Sequence, residues 1–330
     1  MKTVILFFSA ILFNGYIYSQ NIQDGLLIYL PFNGNCYDQS GNEFHGINFN
    51  AEYTEDPWGN SNSACAFNGY NTHVELINEP SLKPPLPLSF SFWVKFNSLE
   101  ANDSQIFITD FSKNMYSGVW FGLNPDTYRM QMSYGSGIQD CTGPNCRRTK
   151  TGNTIFQTGI WYFIIGVIRG ETDMSLFVNC EDDGGYYSGS GGELAYTTNL
   201  GSIGRTDQLL ITPYYFHGVL DEFRYWNRSL SILDMAHLCL LSSNPTNLMD
   251  EDSSPFKLKA NPVTTEILLE CSKEFDKVNY KIQNLIGGIE SEGNISSEAA
   301  KINVSEIKSG TYILSINYKS NIYHLKFIKI

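Results

Sequence analysis

Residues 88–96 alternate apolar and polar side chains, and this stretch constrains the fold more than any other part of the sequence. One face carries Phe90, Phe92, Val94 and Phe96, and the opposite face carries Ser89, Ser91 and Lys95. A period of two indicates a β-strand with one face in a hydrophobic core. The denser apolar run 161–168 predicts a central strand, and 174–180 predicts a strand that enters a hairpin turn at Glu-Asp-Asp-Gly-Gly.

Short strands of this kind, separated by Gly, Asn, Asp and Pro, fill residues 25–241. A single segment, 229–241, has helical character, and Ser229 or Ser231 is suited to cap it. The pattern predicts an all-β fold in which two antiparallel sheets pack face to face. Aromatic residues make up 14% of the chain, which favours strands and leaves rings available for stacking against ligands.

Residues 242–256 interrupt the strand pattern because they are polar, acidic and bounded by prolines. Such a composition is typical of a linker. Beyond it, residues 257–330 return to short strands and turns, which predicts a small second β-sandwich. We therefore expect two folded domains, 25–241 and 257–330.

The N-terminus has the pattern of a secretory signal peptide. Lys2 supplies a small positive region, and residues 4–13 are almost unbroken apolar sequence. An apolar core of about ten residues is too short to span a bilayer. We predict that residues 1–20 are a signal peptide, that the chain has no transmembrane segment, and that the protein is exported. The net charge of −12 argues against a nucleic-acid partner.

Export permits disulfides among the seven cysteines. Cys141 and Cys146 enclose Thr-Gly-Pro-Asn, a turn composition that makes a local bridge sterically reasonable. A zinc site is less favoured because no second close pair and no histidine pair completes four ligands. The other four cysteines of residues 25–241 offer two more bridges, whose pairing the sequence leaves open: Cys36, Cys65, Cys180 and Cys239. Cys271 would be left over.

Four ordered segments resemble the laminin-G-like, concanavalin A-type jelly rolls of bacterial surface proteins. They are Leu30–Asn35 with the following Asp38–Asn42, then Ser63–Gly69, Ser89–Phe96 and Gly218–Ser231. The resemblance covers residues 25–241 and implies a jelly-roll sandwich. It also implies a structural calcium ion near the closing strand.

The tail resembles the type A sorting domain of the type IX secretion system of Bacteroidetes. The similar segments are Asn261-Pro262-Val263, Ser309–Leu314 and Lys326–Ile330. The resemblance implies passage across the outer membrane by that secretion machinery, with the tail removed. A secreted or outer cell-surface location is therefore expected for the product.

Two carboxylates are candidate calcium ligands. A period of two places Asp221 in phase with Val219, Phe223 and Tyr225, so its side chain is expected to face the core. A buried carboxylate has to be paired, hydrogen-bonded or bound to metal. Asp38 is an oxygen ligand at a turn, of the kind calcium prefers. The alternative is that Asp38 caps its own turn and that Asp221 accepts backbone hydrogen bonds.

Two tyrosine pairs are candidate ligand-binding residues because sugars stack on exposed rings next to polar groups. Tyr186 and Tyr187 follow two glycines, and Tyr214 and Tyr215 follow a proline, so both pairs are expected on loops. Ordinary packing is the alternative for each pair. A basic group beside the 141–146 turn is suited either to an anionic polysaccharide or to solvent: Arg147, Arg148 and Lys150.

Catalytic motifs are missing from the sequence. The hydrolases of the similar fold carry a Glu-x-Asp-x-x-Glu strand, and no such run occurs here; the acids at 181–183 are expected to be hydrated on a turn. The sequence therefore predicts a binding protein rather than an enzyme, with a glycan or an extracellular or matrix protein as its partner. The alternatives are a divergent glycoside hydrolase or lyase and a structural surface protein.

Overall fold

A computed structural model describes residues 21–110, 115–205, 214–243, 255–272, 274–284, 289–297, 300–319 and 321–330. The predicted signal peptide, 1–20, and most of the predicted linker, 242–256, lie outside these residues.

The first part of the chain forms sixteen strands and one α-helix, as far as the structure describes it. In chain order they are β1 (Leu26–Leu30), β2 (Ile47–Phe49), β3 (Glu52–Thr54), β4 (Ala64–Asn68), β5 (His73–Leu76), β6 (Leu88–Phe96), β7 (Gln105–Ile108), β8 (Val119–Leu123), β9 (Arg129–Gly135), β10 (Arg147–Ile155), β11 (Trp161–Gly170), β12 (Asp173–Val178), β13 (Glu181–Asp182), β14 (Tyr186–Ser188), β15 (Gly201–Ile203), β16 (His217–Trp226) and α1 (Ile232–Ser243).

These strands make two antiparallel sheets of eight strands each. The first sheet has the order β13-β12-β11-β6-β16-β4-β3, and β1 also pairs with β16. The second sheet has the order β14-β10-β9-β8-β7-β15-β5-β2. Many neighbours in space are far apart in the chain, such as β16 beside β6 and β15 beside β7, as in a jelly roll. The predicted all-β, two-sheet fold is confirmed.

The hydrophobic core lies between the two sheets, and β6 contributes to it as its alternation predicts. Phe90, Phe92, Val94 and Phe96 are fully buried there. The ring of Phe92 meets that of Phe121 of the second sheet edge-on, with centroids 5.5 Å apart. Full burial of such a side chain stabilises the fold by about 1.5–3 kcal/mol.

The outer face of the first sheet is also covered, which the sequence pattern does not predict. Helix α1 packs there against apolar side chains that include Phe163, Ile165 and Trp226. The helix begins after Ser231, whose hydroxyl accepts a hydrogen bond from the N–H of Asp234, as expected for a cap. A disulfide between Cys180 and Cys239 ties the helix to the turn after β12.

The described part of residues 255–330 forms two smaller sheets around a second core. The strands are β17 (Phe256–Leu258), β18 (Glu266–Cys271), β19 (Val278–Asn284), β20 (Ile289–Ile295), β21 (Lys301–Asn303), β22 (Gly310–Tyr318) and β23 (Asn321–Lys329). They pair as β17-β18-β21 and β20-β19-β22-β23. Ile267 and Leu269 of one sheet and Leu314, Ile316 and Phe327 of the other lie in the same core.

Among the described residues, no side chain belongs to both the large and the small core. We therefore expect residues 21–243, expressed alone, to fold with the same thermal midpoint as the large domain in the full chain. Circular dichroism melts of the two proteins measure this. A truncated protein that lacks a cooperative transition would contradict the division.

Candidate functional site

The candidate site is the outer face of the second sheet, formed by the side chains that point away from the core. Paired residues of antiparallel strands share a face, so the strand register arranges these side chains in rows. One row crosses all eight strands: Ser188, Thr149, Ser133, Trp120, Ile108, Ser202, Glu75 and Ile47. Their chain neighbours, such as Met132 and Phe121, lie in the core between the sheets.

A second row runs parallel to the first and is mostly polar. Its members from the β14 edge to β7 are Tyr186, Thr151, Gln131, Gly122 and Gln105. The Gln131 side-chain amide donates to the hydroxyl of Thr151 (3.2 Å), and the hydroxyls of Ser133 and Thr149 are 2.8 Å apart. These pairs hold the hydroxyl and amide groups in fixed positions on the face.

A stack of aromatic and cationic side chains lies beside these rows. The ring of Tyr116 stacks on Trp120 with centroids 5.1 Å apart, and the guanidinium of Arg147 lies 5.6 Å from the Tyr116 ring. Tyr116 can approach because residue 135 is glycine: a Cβ at Gly135 would lie 2.1 Å from the carbonyl carbon of Tyr116.

The predicted Cys141–Cys146 disulfide is present and supports this stack. The backbone N–H of Tyr116 donates to the carbonyl of Cys141 (3.2 Å), and the N–H of Ser136 donates to the carbonyl of Cys146 (2.9 Å). The bridged turn therefore fixes the segment that carries Tyr116 over the face.

The face carries more positive than negative charge. Of the outward residues on the eight strands of this sheet, Glu75 is the one acid, and it pairs with Arg205 (3.6 Å). Asp110, just beyond β7, is buried and pairs with Lys83 (3.3 Å). No described carboxylate lies within ion-pair distance of Arg147 or of Arg129, which is on β9.

His73 lies near the β2 edge of the same face and is 5% exposed. Its ring stacks on Phe49 with centroids 4.5 Å apart, and neither ring nitrogen has a hydrogen-bond partner in the part of the chain that the structure describes. Burial, together with the nearby charge of Arg205, lowers the pKa of His73 to about 4. The ring is therefore neutral at pH 7.

The structure separates the tyrosines of the first predicted pair. Both lie on edge strand β14 rather than on a loop. Tyr186 points to the outer face and is 49% exposed. Tyr187 points inward, where its hydroxyl accepts from the N–H of Met174 and donates to the carbonyl of Thr172, and where Arg148 and Lys150 lie over its ring. Tyr187 therefore has a packing role.

The second pair lies at the opposite end of the sheet. Tyr214 is 40% exposed. Tyr215 forms a β-bridge with Arg205, and its ring centroid is 6.2 Å from that of His73. The structure therefore does not bring Tyr214 and Tyr215 together with Tyr186.

The residues of the basic group do not all have the same role, and neither do those of the acid cluster at 181–183. Arg148 donates to the carbonyls of Glu171 and Gly189, so it holds loops together, whereas Arg147 faces outward. The expected hydration of residues 181–183 is wrong for Asp183, because its carboxylate is buried and accepts from the N–H groups of Asn153 and Thr154.

The predicted inward orientation of Asp221 is wrong. A β-bulge lies between Asp221 and Arg224 opposite β6, and Glu222 has a positive φ of 53°. The extra residue shifts the alternation of inward and outward side chains along β16. Leu220 and Phe223 therefore face the core, and Asp221 lies on the outer face of the first sheet. Asp221 is nevertheless 1% exposed, and burial raises its pKa to about 9, with the charge of Glu222 adding to the effect.

Asp38 serves its own turn. One carboxylate oxygen accepts from the N–H groups of Tyr29 and Ser40, and the other accepts from the N–H of Phe44 and the Ser40 hydroxyl. Among the described residues, no three His, Cys, Asp or Glu side chains converge as a metal site. Calcium binding by Asp38 and Asp221 stays a prediction.

The sequence of residues 68–234, just over half of the chain, matches the family model described as the concanavalin A-like lectin/glucanases superfamily. The chain belongs to this superfamily. Residues 260–330 match the secretion system C-terminal sorting domain. The predicted resemblances are thus confirmed, and the type IX sorting domain indicates a protein exported to the medium or the cell surface. No helix among the described residues is long and apolar enough to cross a membrane.

Solved structures with a similar fold include two bacterial domains. The binding domain of botulinum neurotoxin DC, in complex with rat synaptotagmin II, is 11% identical, with a TM-score of 0.50 over 92% of this chain and 74% of that chain. Domain 4 of AbnA, a GH43 extracellular arabinanase from Geobacillus stearothermophilus in complex with arabinotriose, is 18% identical, with a TM-score of 0.45 over 65% of this chain and 98% of that chain. A comparison with the curated proteins gave no match.

Several residues of the site escape the sequence reasoning. Residues 129–135, Arg-Met-Gln-Met-Ser-Tyr-Gly, alternate as clearly as β6, and this signal could have placed Arg129 and Gln131 on an outer face. Trp120 gives no such signal, because Val-Trp-Phe-Gly-Leu is apolar at every position.

The neutral, buried His73 predicts a pH dependence of stability. In the unfolded chain the imidazole has a pKa near 6.5. Between about pH 6.5 and 4 the unfolded state therefore binds the extra proton, so the free energy of unfolding falls as the pH falls through this range, by roughly 2–3 kcal/mol. We expect His73→Phe to flatten this part of the profile in urea titrations. Tyr70→Phe, at an exposed position, is the control. An unchanged dependence of the free energy of unfolding on pH in His73→Phe would contradict the assignment.

Proposed function

We propose that the protein is an exported binding protein that recognises a glycan chain on the outer face of its second sheet. Membership in the lectin and glucanase superfamily and the sorting tail support an extracellular role of this class. The specific support is the exposed ring of Tyr186 in the same row as the half-buried amide of Gln131.

An exposed ring and a polar side chain lie in one row of this face. Tyr186 at the β14 edge is 49% exposed, and the half-buried amide of Gln131 lies two strands away in the same row. Sugar sites combine aromatic surfaces with a few placed polar groups. The face is part of a hydrogen-bonded sheet, so little conformational entropy is lost on binding.

The charges on this face support binding over hydrolysis. Glycoside hydrolysis by the usual route needs two carboxylates about 5–10 Å apart. Among the outward residues of the eight strands there is one acid, Glu75, and Arg205 already pairs with it. This is the observation that favours a binding protein over a divergent hydrolase.

The proposal predicts that Tyr186→Ala weakens glycan binding by about tenfold, since a stacked ring contributes roughly 1–2 kcal/mol. The matched control is Tyr70→Ala, because Tyr70 is 77% exposed on the turn between β4 and β5. Binding to a glycan array, followed by calorimetry with the best ligand, provides the measurement.

Equal glycan affinities for Tyr186→Ala and Tyr70→Ala would show that the glycan does not bind to the outer face of the second sheet. Release of reducing sugar from any bound polysaccharide, at a rate that survives Tyr70→Ala, would instead favour the hydrolase.

A further inference from the structure

The outer face of the second sheet has an opposite charge balance to the whole protein. The chain carries a net charge of −12. On this face, by contrast, Glu75 and Arg205 pair with each other, and Asp110 pairs with Lys83. The remaining charged side chains that point outward from the strands of this sheet are Arg129 and Arg147, which are positive.

Among the described residues, Arg147 has no carboxylate partner. Its guanidinium lies over the ring of Tyr116, which itself stacks on Trp120, so packing holds it in place. A guanidinium offers donors in a planar fork that matches a carboxylate or a sulfate group.

Arg129 lies on the neighbouring strand β9, at the end far from Arg147 and opposite Ile155. Its Nε is buried and has no hydrogen-bond partner among the described residues. Arg129 precedes Gly135 by six positions on β9, and Gly135 pairs with Arg147. The backbone positions of the two arginines therefore lie roughly 20 Å apart along the strand direction. A buried donor without a partner is costly, and a ligand acceptor would relieve that cost.

We infer that the ligand of this face is an anionic polysaccharide, with carboxylate or sulfate groups spaced along the chain to meet Arg147 and Arg129. This inference rests on the proposed function and names its ligand class. Tyr186 and the amide of Gln131 contact the sugar rings, and the two arginines select for charge.

Pairs of polymers with the same backbone test the inference on the full exported protein. The pairs are polygalacturonate against its methyl ester and dextran sulfate against dextran. We expect binding to at least one charged member, weak or no binding to its neutral partner, and a marked loss of affinity in 0.5 M NaCl, where the Debye length is roughly 4 Å.

Arg147→Gln and Arg129→Gln should each lower the affinity for the charged polymer by about tenfold, as expected for the loss of a charge-assisted hydrogen bond. Lys95→Gln is the control, because it removes the same charge from the outer face of the first sheet. Equal binding to charged and neutral polymers, still reduced by Tyr186→Ala, would overturn the inference and leave the proposed function standing. Binding to no polysaccharide would overturn both.

A second observation concerns two cysteines outside both disulfides. Cys36 and Cys65 are buried in the large core, and the neighbouring Cys65 thiol lowers the pKa of Cys36. The Tyr53 hydroxyl lies 3.3 Å from the same sulfur, and Tyr53 pairs with Cys65 across β3 and β4. Tyr53 therefore places the two cysteines in the same part of the core, where the 31–46 loop returns to the first sheet.

The geometry points to a third disulfide, Cys36–Cys65, formed after export. Both thiols lose a proton and together transfer two electrons to the disulfide of a thiol oxidoreductase, which leaves as a dithiol.

Non-reducing peptide mapping of the exported protein, alkylated before denaturation and again after it, tests the pairing. The expected product is a peptide that joins Cys36 to Cys65, found beside the Cys180–Cys239 peptide as an internal control. Alkylation of Cys36 and Cys65 only after denaturation, with no joined peptide, would show two buried free thiols and overturn the proposal.

Discussion

Packing between the two large sheets depends on the phenylalanine rings of β6, and the rest of the structure follows from it. This strand lies between β11 and β16, and its inward rings meet those of β7 and β8 across the core. Once Phe107 and Phe121 face inward, the period of two turns Ile108 and Trp120 outward. The rows of the candidate site are thus the reverse side of the core.

The sequence predicts those elements whose information is local. The alternation of β6 and the serine cap of α1 are read from neighbouring residues, and both are confirmed. The Cys141–Cys146 bridge is equally local, since its two cysteines flank one turn. The predicted two-sheet architecture needs only the number and spacing of such strands.

The errors arise where a contact depends on distant parts of the chain. A bulge at Asp221 and Glu222 shifts the phase of β16, and no glycine marks the positive φ of Glu222. Tyr116 reaches the site only because Gly135 and the bridged turn let its segment cross the sheet. Neither effect leaves a periodic signal, so the alternation of β16 predicts the wrong face for Asp221 and the sequence does not predict the central aromatic stack.

Helix α1 is the last element of the large domain before the sorting tail in the chain, and its disulfide to the first sheet has a mechanical consequence. A pulling force applied to the chain after α1 would reach the helix from its C-terminal side. The Cys180–Cys239 bond would pass such a force into the turn after β12 and the first sheet. The part of α1 before Cys239 would then be protected from being pulled off the sheet, together with Trp226 beneath it.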